Sequence, residues 1–133
     1  MNTNFEPSNS PTTPNSLSTI EYGDIIYAQR IRGFSRHNAA KLFLQGKQCM
    51  RTDPRRAERL FTSVIQVEPD NPYGYIYLLF AQEDLGYPVE RLLSTCDKLI
   101  EVATKKNIHG LTGIADAMML GFLRTAEKMR VGL

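Results

Sequence analysis

Three interruptions decide what this chain can fold into. Arg51-Thr52-Asp53-Pro54, Pro69-Asp70-Asn71-Pro72 and Gly86-Tyr87-Pro88 cut its middle into short segments. Each proline lacks an N–H and pushes the residue before it out of the α region, so no helix runs through these points. Between the breaks, apolar residues recur every three or four positions, and no alternating run of Val, Ile or Thr suggests a strand. The expectation is an all-α fold of antiparallel helix hairpins, because connections of two to five residues return each helix alongside the one before it.

The individual helices follow from their end signals. Ser18 with Glu21 three residues on forms a capping-box pattern that starts a first helix near Thr19, and Gly33 ends it after Arg32. A second helix fits Ser35 to Met50. Asp53 caps a third, with Pro54 at its first position, where the missing N–H costs nothing, and the helix runs to about Glu68. The fourth covers Tyr73 to Leu85. The fifth carries Val89, Leu92, Leu93, Cys96, Leu99, Ile100 and Ala103 on one amphipathic face. A terminal sixth is expected over Leu111 to Ala126, capping the array.

Composition sets the outer limits. Of the first 19 residues, fifteen are Asn, Ser, Thr or Pro, too little apolar surface to offset the entropy of ordering them. Residues 1–19 are therefore expected to be a disordered tail, and residues 20–133 one helical domain. At 133 residues a core forms without disulfides, so Cys49 and Cys96 need no bridge. Nothing basic precedes Arg30, which argues against a signal peptide or presequence and for a cytoplasmic protein. The longest apolar run, Tyr73 to Ala81, is about half of what a membrane span requires.

Two stretches of similar plan, Asn38 to Asn71 and Pro72 to about Lys105, each have close to 34 residues. In the first, Ala57, Phe61 and Pro69 stand where the tetratricopeptide family has a small residue, an aromatic and a terminal proline. In the second, Tyr75, Leu78, Ala81 and Gly86 match that family's first-helix aromatic, its leucine, a small residue and the turn glycine. The chain resembles tetratricopeptide-repeat proteins over about half its length. It departs from them at Leu79, Arg91 and Thr95, where a glycine, a small residue and an aromatic are usual. The resemblance implies a short solenoid, no catalysis, and a concave surface that binds a peptide or protein segment. Carried onto the second unit, the concave positions are Tyr73, Ile76, Tyr77, Phe80, Glu83 and Asp84.

The inventory for chemistry is thin. His37 and His109 have no second His or Cys at ligand spacing, so no metal site is expected. Cys96 lies on an apolar stripe and Cys49 near a helix end, where thiols act as small hydrophobes. No phosphate loop surrounds the glycines at 110, 113 and 121, and no cofactor is expected.

Charge is unevenly placed. Nine basic residues against Asp53 and Glu58 fall between positions 30 and 59, whereas positions 60 to 101 hold seven acidic and two basic. Arg51, Arg55, Arg56 and Arg59 form a basic patch that could grip phosphates or an acidic protein segment, and the first of these makes a nucleic-acid-associated protein the alternative to an adaptor or chaperone-like module. The same arginines could also pair with the acidic half of this or a neighbouring molecule, a route to self-association.

Helix four is apolar on all sides and must be covered on all sides. Either Ile20, Tyr22, Ile25, Ile26 and Tyr27 of helix one fold over it, or a partner enters a groove lined by Tyr73, Tyr77 and Phe80.

Overall fold

A computed structural model describes residues 20–106, 114, 115, 117–122 and 124. Five helices follow one another in the chain: α1 (Tyr22–Arg32), α2 (His37–Cys49), α3 (Pro54–Val67), α4 (Pro72–Asp84) and α5 (Val89–Lys105). The described residues between 114 and 124 are helical as well, and there is no strand among the described residues. The chain is all-α, built of helical hairpins in which each helix packs on its neighbours in sequence.

The breaks act as expected. The Asp53 carboxylate accepts the Arg56 N–H at 3.1 Å, with Pro54 in the first turn of α3. Asn71 does the same for α4, accepting from Tyr73 N–H at 2.9 Å. Gly33 and Gly86 adopt the left-handed region, φ 73° and 72°, that closes α1 and turns α4 toward α5.

The start of α1 differs from the sequence expectation. Glu21 is itself the N-cap, extended and without a side-chain bond, so the helix begins at Tyr22 rather than Thr19. Ser18, the disordered-tail reading of residues 1–19 and parts of the sixth helix lie outside the described residues.

Packing within the first hairpin turns on Gly46 and Phe61. A Cβ at Gly46 would stand 2.5 Å from Phe61 Cε1, so only glycine lets α2 approach the buried ring this closely. Ala57 of α3 and Ala39, Ala40 and Phe43 of α2 complete this part of the core with Val64. Tyr77 of α4 then sets its ring against both helices of the hairpin, with centroids 4.8 Å from Phe43 and 5.6 Å from Phe61.

The second hairpin closes by different means. Where the first has Phe61, it has Thr95, buried and donating its hydroxyl to Gln82 Oε1 at 2.7 Å. Leu79, Leu92 and Cys96 are covered by Phe122 from the C-terminal helical residues. Both cysteines are free and buried.

Helix one reaches α4 with its last residue, Arg32, which lies over Tyr73 and Tyr77. It packs on α2, contributing Ile25 and Ala28 to the core, while Tyr22, Ile26 and Tyr27 remain exposed. With mostly apolar residues around its circumference, α1 can bury only the side that α2 offers, and that side takes Ile25 and Ala28.

Candidate peptide-binding groove

At 100° per residue, Tyr73, Tyr77, Phe80 and Asp84 of α4 fall on one stripe. The α3 side of the helix takes Leu78 and the α5 side takes Ile76 and Leu79, and the stripe lies between them beside α2, with Tyr73 and Tyr77 resting on the clusters of both sides and Phe80 on that of Ile76 and Leu99. Tyr73, Tyr77 and Phe80 are half-buried and Asp84 is exposed. Ile76 is a correction: it is buried against Leu99, Ala103 and Ala115 and offers nothing to a partner. One residue before Tyr77 it is rotated by 100° toward α5, a difference that the family positions do not register. Glu83 is exposed at the end of the helix, beside Asp84. Its neighbours still shield the carboxyl in part from water, and this desolvation, with the Asp84 charge beside it, pushes it above the ordinary carboxylate range.

The aromatic floor is continuous. Phe34, Phe43, Tyr77 and Phe80 follow one another at centroid distances of 5.0, 4.8 and 5.3 Å, the last two contacts edge to face. Two cations stand over it. The Arg32 guanidinium lies 4.8 Å from the Tyr73 centroid and 5.8 Å from Tyr77, and Lys47 Nζ lies 5.7 Å from Tyr77. No carboxylate pairs with either among the described residues.

Two clefts open from this floor. One, of about 320 Å³, runs between α1 and α2 past Asp24, Tyr27, Arg32, Phe43 and Lys47. The other, of about 630 Å³, lies at the far end of the stripe between Arg51, Pro54, Phe80, Glu83 and Asp84. The groove therefore has a cationic end at Arg32 and Lys47 and an acidic end at Asp84. A separate cleft of about 470 Å³ beside Tyr75 is bridged by a Lys106–Asp70 ion pair at 3.4 Å and takes no part in the stripe.

Phe43, Lys47 and Arg32 belong to this site and escaped the sequence reading. Lys47 follows Phe43 by one helical turn on α2, a spacing that could have marked a second wall. Arg32 carried no such signal: it arrives through the bend after α1, held where the Asn71 side chain donates to the Arg32 carbonyl at 3.0 Å.

The basic patch is split. Arg55 and Arg59 are exposed on α3, Arg51 borders the acidic end of the groove, and Arg56 is half-buried with its backbone held by Asp53. Glu58 stands among them and accepts the Tyr87 hydroxyl at 2.6 Å, while Arg91 stacks over Tyr87 at 4.0 Å.

Burial raises the Cys96 thiol to about 11, with Asp97 and Glu83 adding to the shift, and burial raises Cys49 as well despite the nearby Arg56 charge. A thiol held neutral in this way is a poor nucleophile. Among the described residues no three His, Cys, Asp or Glu side chains gather as metal ligands, and no helix is long and apolar enough to cross a membrane.

Compared with known proteins, the chain matches no family model, no curated protein and no solved structure.

Proposed function

We propose that this chain is a non-enzymatic interaction module, tetratricopeptide-like in plan, that holds an acidic peptide segment in the groove between α2 and α4. The observation carrying the proposal is the pair of cations, Arg32 and Lys47, with no carboxylate partner among the described residues, over the Tyr73 and Tyr77 rings of the half-buried stripe. Aromatic rings supply apolar contact area at small entropic cost, and cations above them favour a carboxylate-bearing ligand over a neutral one. The tetratricopeptide resemblance points the same way, since its concave positions include this stripe.

The test is binding of labelled peptides of equal length and apolar content, one series acidic and one basic, followed by fluorescence anisotropy. Acidic peptides should bind the full chain and lose at least tenfold in affinity on Lys47→Glu. Equal binding of both series would remove the proposal. RNA or DNA binding that weakens steeply with salt and depends on Arg55 and Arg59 would instead favour the nucleic-acid alternative.

A further inference from the structure

The outward face of α1 has no partner among the described residues. Tyr22 is 70% exposed, Tyr27 66%, Ile31 54% and Ile26 36%, an apolar surface on a helix of eleven residues. Tyr22 leans toward His37 at 6.0 Å and Tyr27 borders the α1–α2 cleft, yet both keep most of their surface in water. Gly23 and Arg30, seven residues apart, run down the middle of this face.

Gly23 is unexplained by the fold. A Cβ there would meet nothing within 4 Å and its φ is not positive, so neither close packing nor backbone geometry calls for glycine. In a helix, glycine costs up to about 1 kcal/mol relative to alanine. A glycine at such a place leaves room for the close approach of something from outside.

The sequence of the face is complementary to itself when reversed. Laid antiparallel about a two-fold axis between residues 26 and 27, the long Arg30 side chain crosses the bare Gly23 of a second copy along the middle of the contact, Ile26 and Tyr27 each meet their own counterparts beside the axis, and Tyr22 and Ile31 close the two edges. The same register brings Asp24 beside Arg30, so the acidic start of each helix meets the basic end of the other. An isologous contact requires this reciprocity, in which residue i touches j and j touches i. Residues 1–19 are a poor alternative cover, because fifteen of them are Asn, Ser, Thr or Pro.

We infer that α1 is a self-association face, pairing antiparallel with α1 of a second copy of this chain. A helix of this length spans about 16 Å. The area it offers falls short of the roughly 800 Å² per partner of a standard interface, so the dimer is weak and forms only at high concentration.

Sedimentation equilibrium of the full chain, from about 10 µM to about 1 mM, reads the association. The wild type should pass from monomer toward dimer over this range, and Ile26→Asp should raise the Kd at least tenfold while melting at the wild-type temperature. Asp24→Arg and Arg30→Asp should each weaken the dimer, and the two together should restore it, since the exchanged charges still meet across an antiparallel pair. Gly23→Leu should weaken association without loss of helix content. A wild type that stays monomeric at 1 mM overturns the inference, as does a dimer indifferent to Ile26→Asp. Failure of the double charge exchange to restore pairing overturns the antiparallel arrangement.

Discussion

The Glu68 carboxylate, buried at the end of α3, accepts the backbone N–H of Ser35 on both oxygens, at 3.1 and 3.0 Å. One of those oxygens also takes the Arg36 N–H at 2.9 Å, and Asn71 Nδ2 donates to the other at 3.3 Å. Arg36 is the N-cap of α2 and has no side-chain cap of its own, so a residue 32 positions later supplies the anion that this helix start requires. The bend that carries Arg32 over Tyr73 is thereby tied to the end of α3. Fold and groove share this contact.

Replacing Glu68 by Ala should cost about 2–4 kcal/mol, because backbone N–H groups lose charge-assisted partners and a buried space opens. Glu68→Gln should recover only part of this, since its amide nitrogen cannot accept. Thermal unfolding of the three proteins measures the order. Equal melting temperatures would contradict the account.

The first hairpin is sensitive in a different way. Gly46→Ala places a methyl group 2.5 Å from a ring atom of fully buried Phe61, and overpacking of this sort typically costs about 1–3 kcal/mol. Phe61→Leu removes the blocking edge, so the double variant should be more stable than the sum of the two single changes predicts. Denaturant unfolding of the four-member cycle gives the coupling.

Much of the fold was legible because helix punctuation is local. Pro54, Pro72, Gly33 and Gly86 act through their own backbones, and α2 to α5 begin and end within two residues of where those signals place them. At α1 the signal misled: a Ser-x-x-Glu pattern resembles a capping box whether or not the chain turns there, and Glu21 became the cap. The groove was half legible. The Tyr73, Tyr77, Phe80 and Asp84 stripe follows from helical period, whereas Ile76 fell into the core because the sequence does not say on which side α5 packs. Arg32 and Phe43 reach the site through contacts between separate helices, and Glu68 is bound to Ser35 and Arg36 across more than thirty residues. Such pairings leave no period in a single sequence.

Cys96 predicts a dependence on alkaline pH. Its thiol is raised from an ordinary 9.0 to about 11 in the fold, so between those values the folded chain holds a proton that the unfolded chain has released. The contribution is complete below pH 9 and is lost as pH rises through 11, at up to about 1.4 kcal/mol per pH unit. Cys96→Ala should flatten this decline, and alkylation of Cys96 in the native protein should be slow at neutral pH. Rapid alkylation without unfolding would show that the thiol is not buried.

The groove residues divide between holding the fold and meeting a ligand, and their truncations should separate accordingly. Leu79 is fully buried against Leu92 and Cys96, so Leu79→Ala should cost about 3–5 kcal/mol. Tyr77 lies at the seam, edge-on to Phe43 and close to Phe61. Tyr77→Ala should lose about 2–3 kcal/mol and weaken peptide binding together. Phe80 touches Tyr77 from the outer side, opens on the cleft with Asp84 and stacks on no other ring among the described residues, while its inner edge rests on the Ile76–Leu99–Ala103 cluster. Phe80→Ala should therefore cost about 1–2 kcal/mol of stability, less than Leu79→Ala, and still reduce acidic-peptide affinity several-fold. Melting curves and anisotropy titrations on the three variants give both quantities. A Phe80→Ala protein that melts as early as Leu79→Ala would place the ring in the core and leave the groove without its outer wall. If it melts well above Leu79→Ala and binds less, the stripe beyond Tyr77 is contact surface.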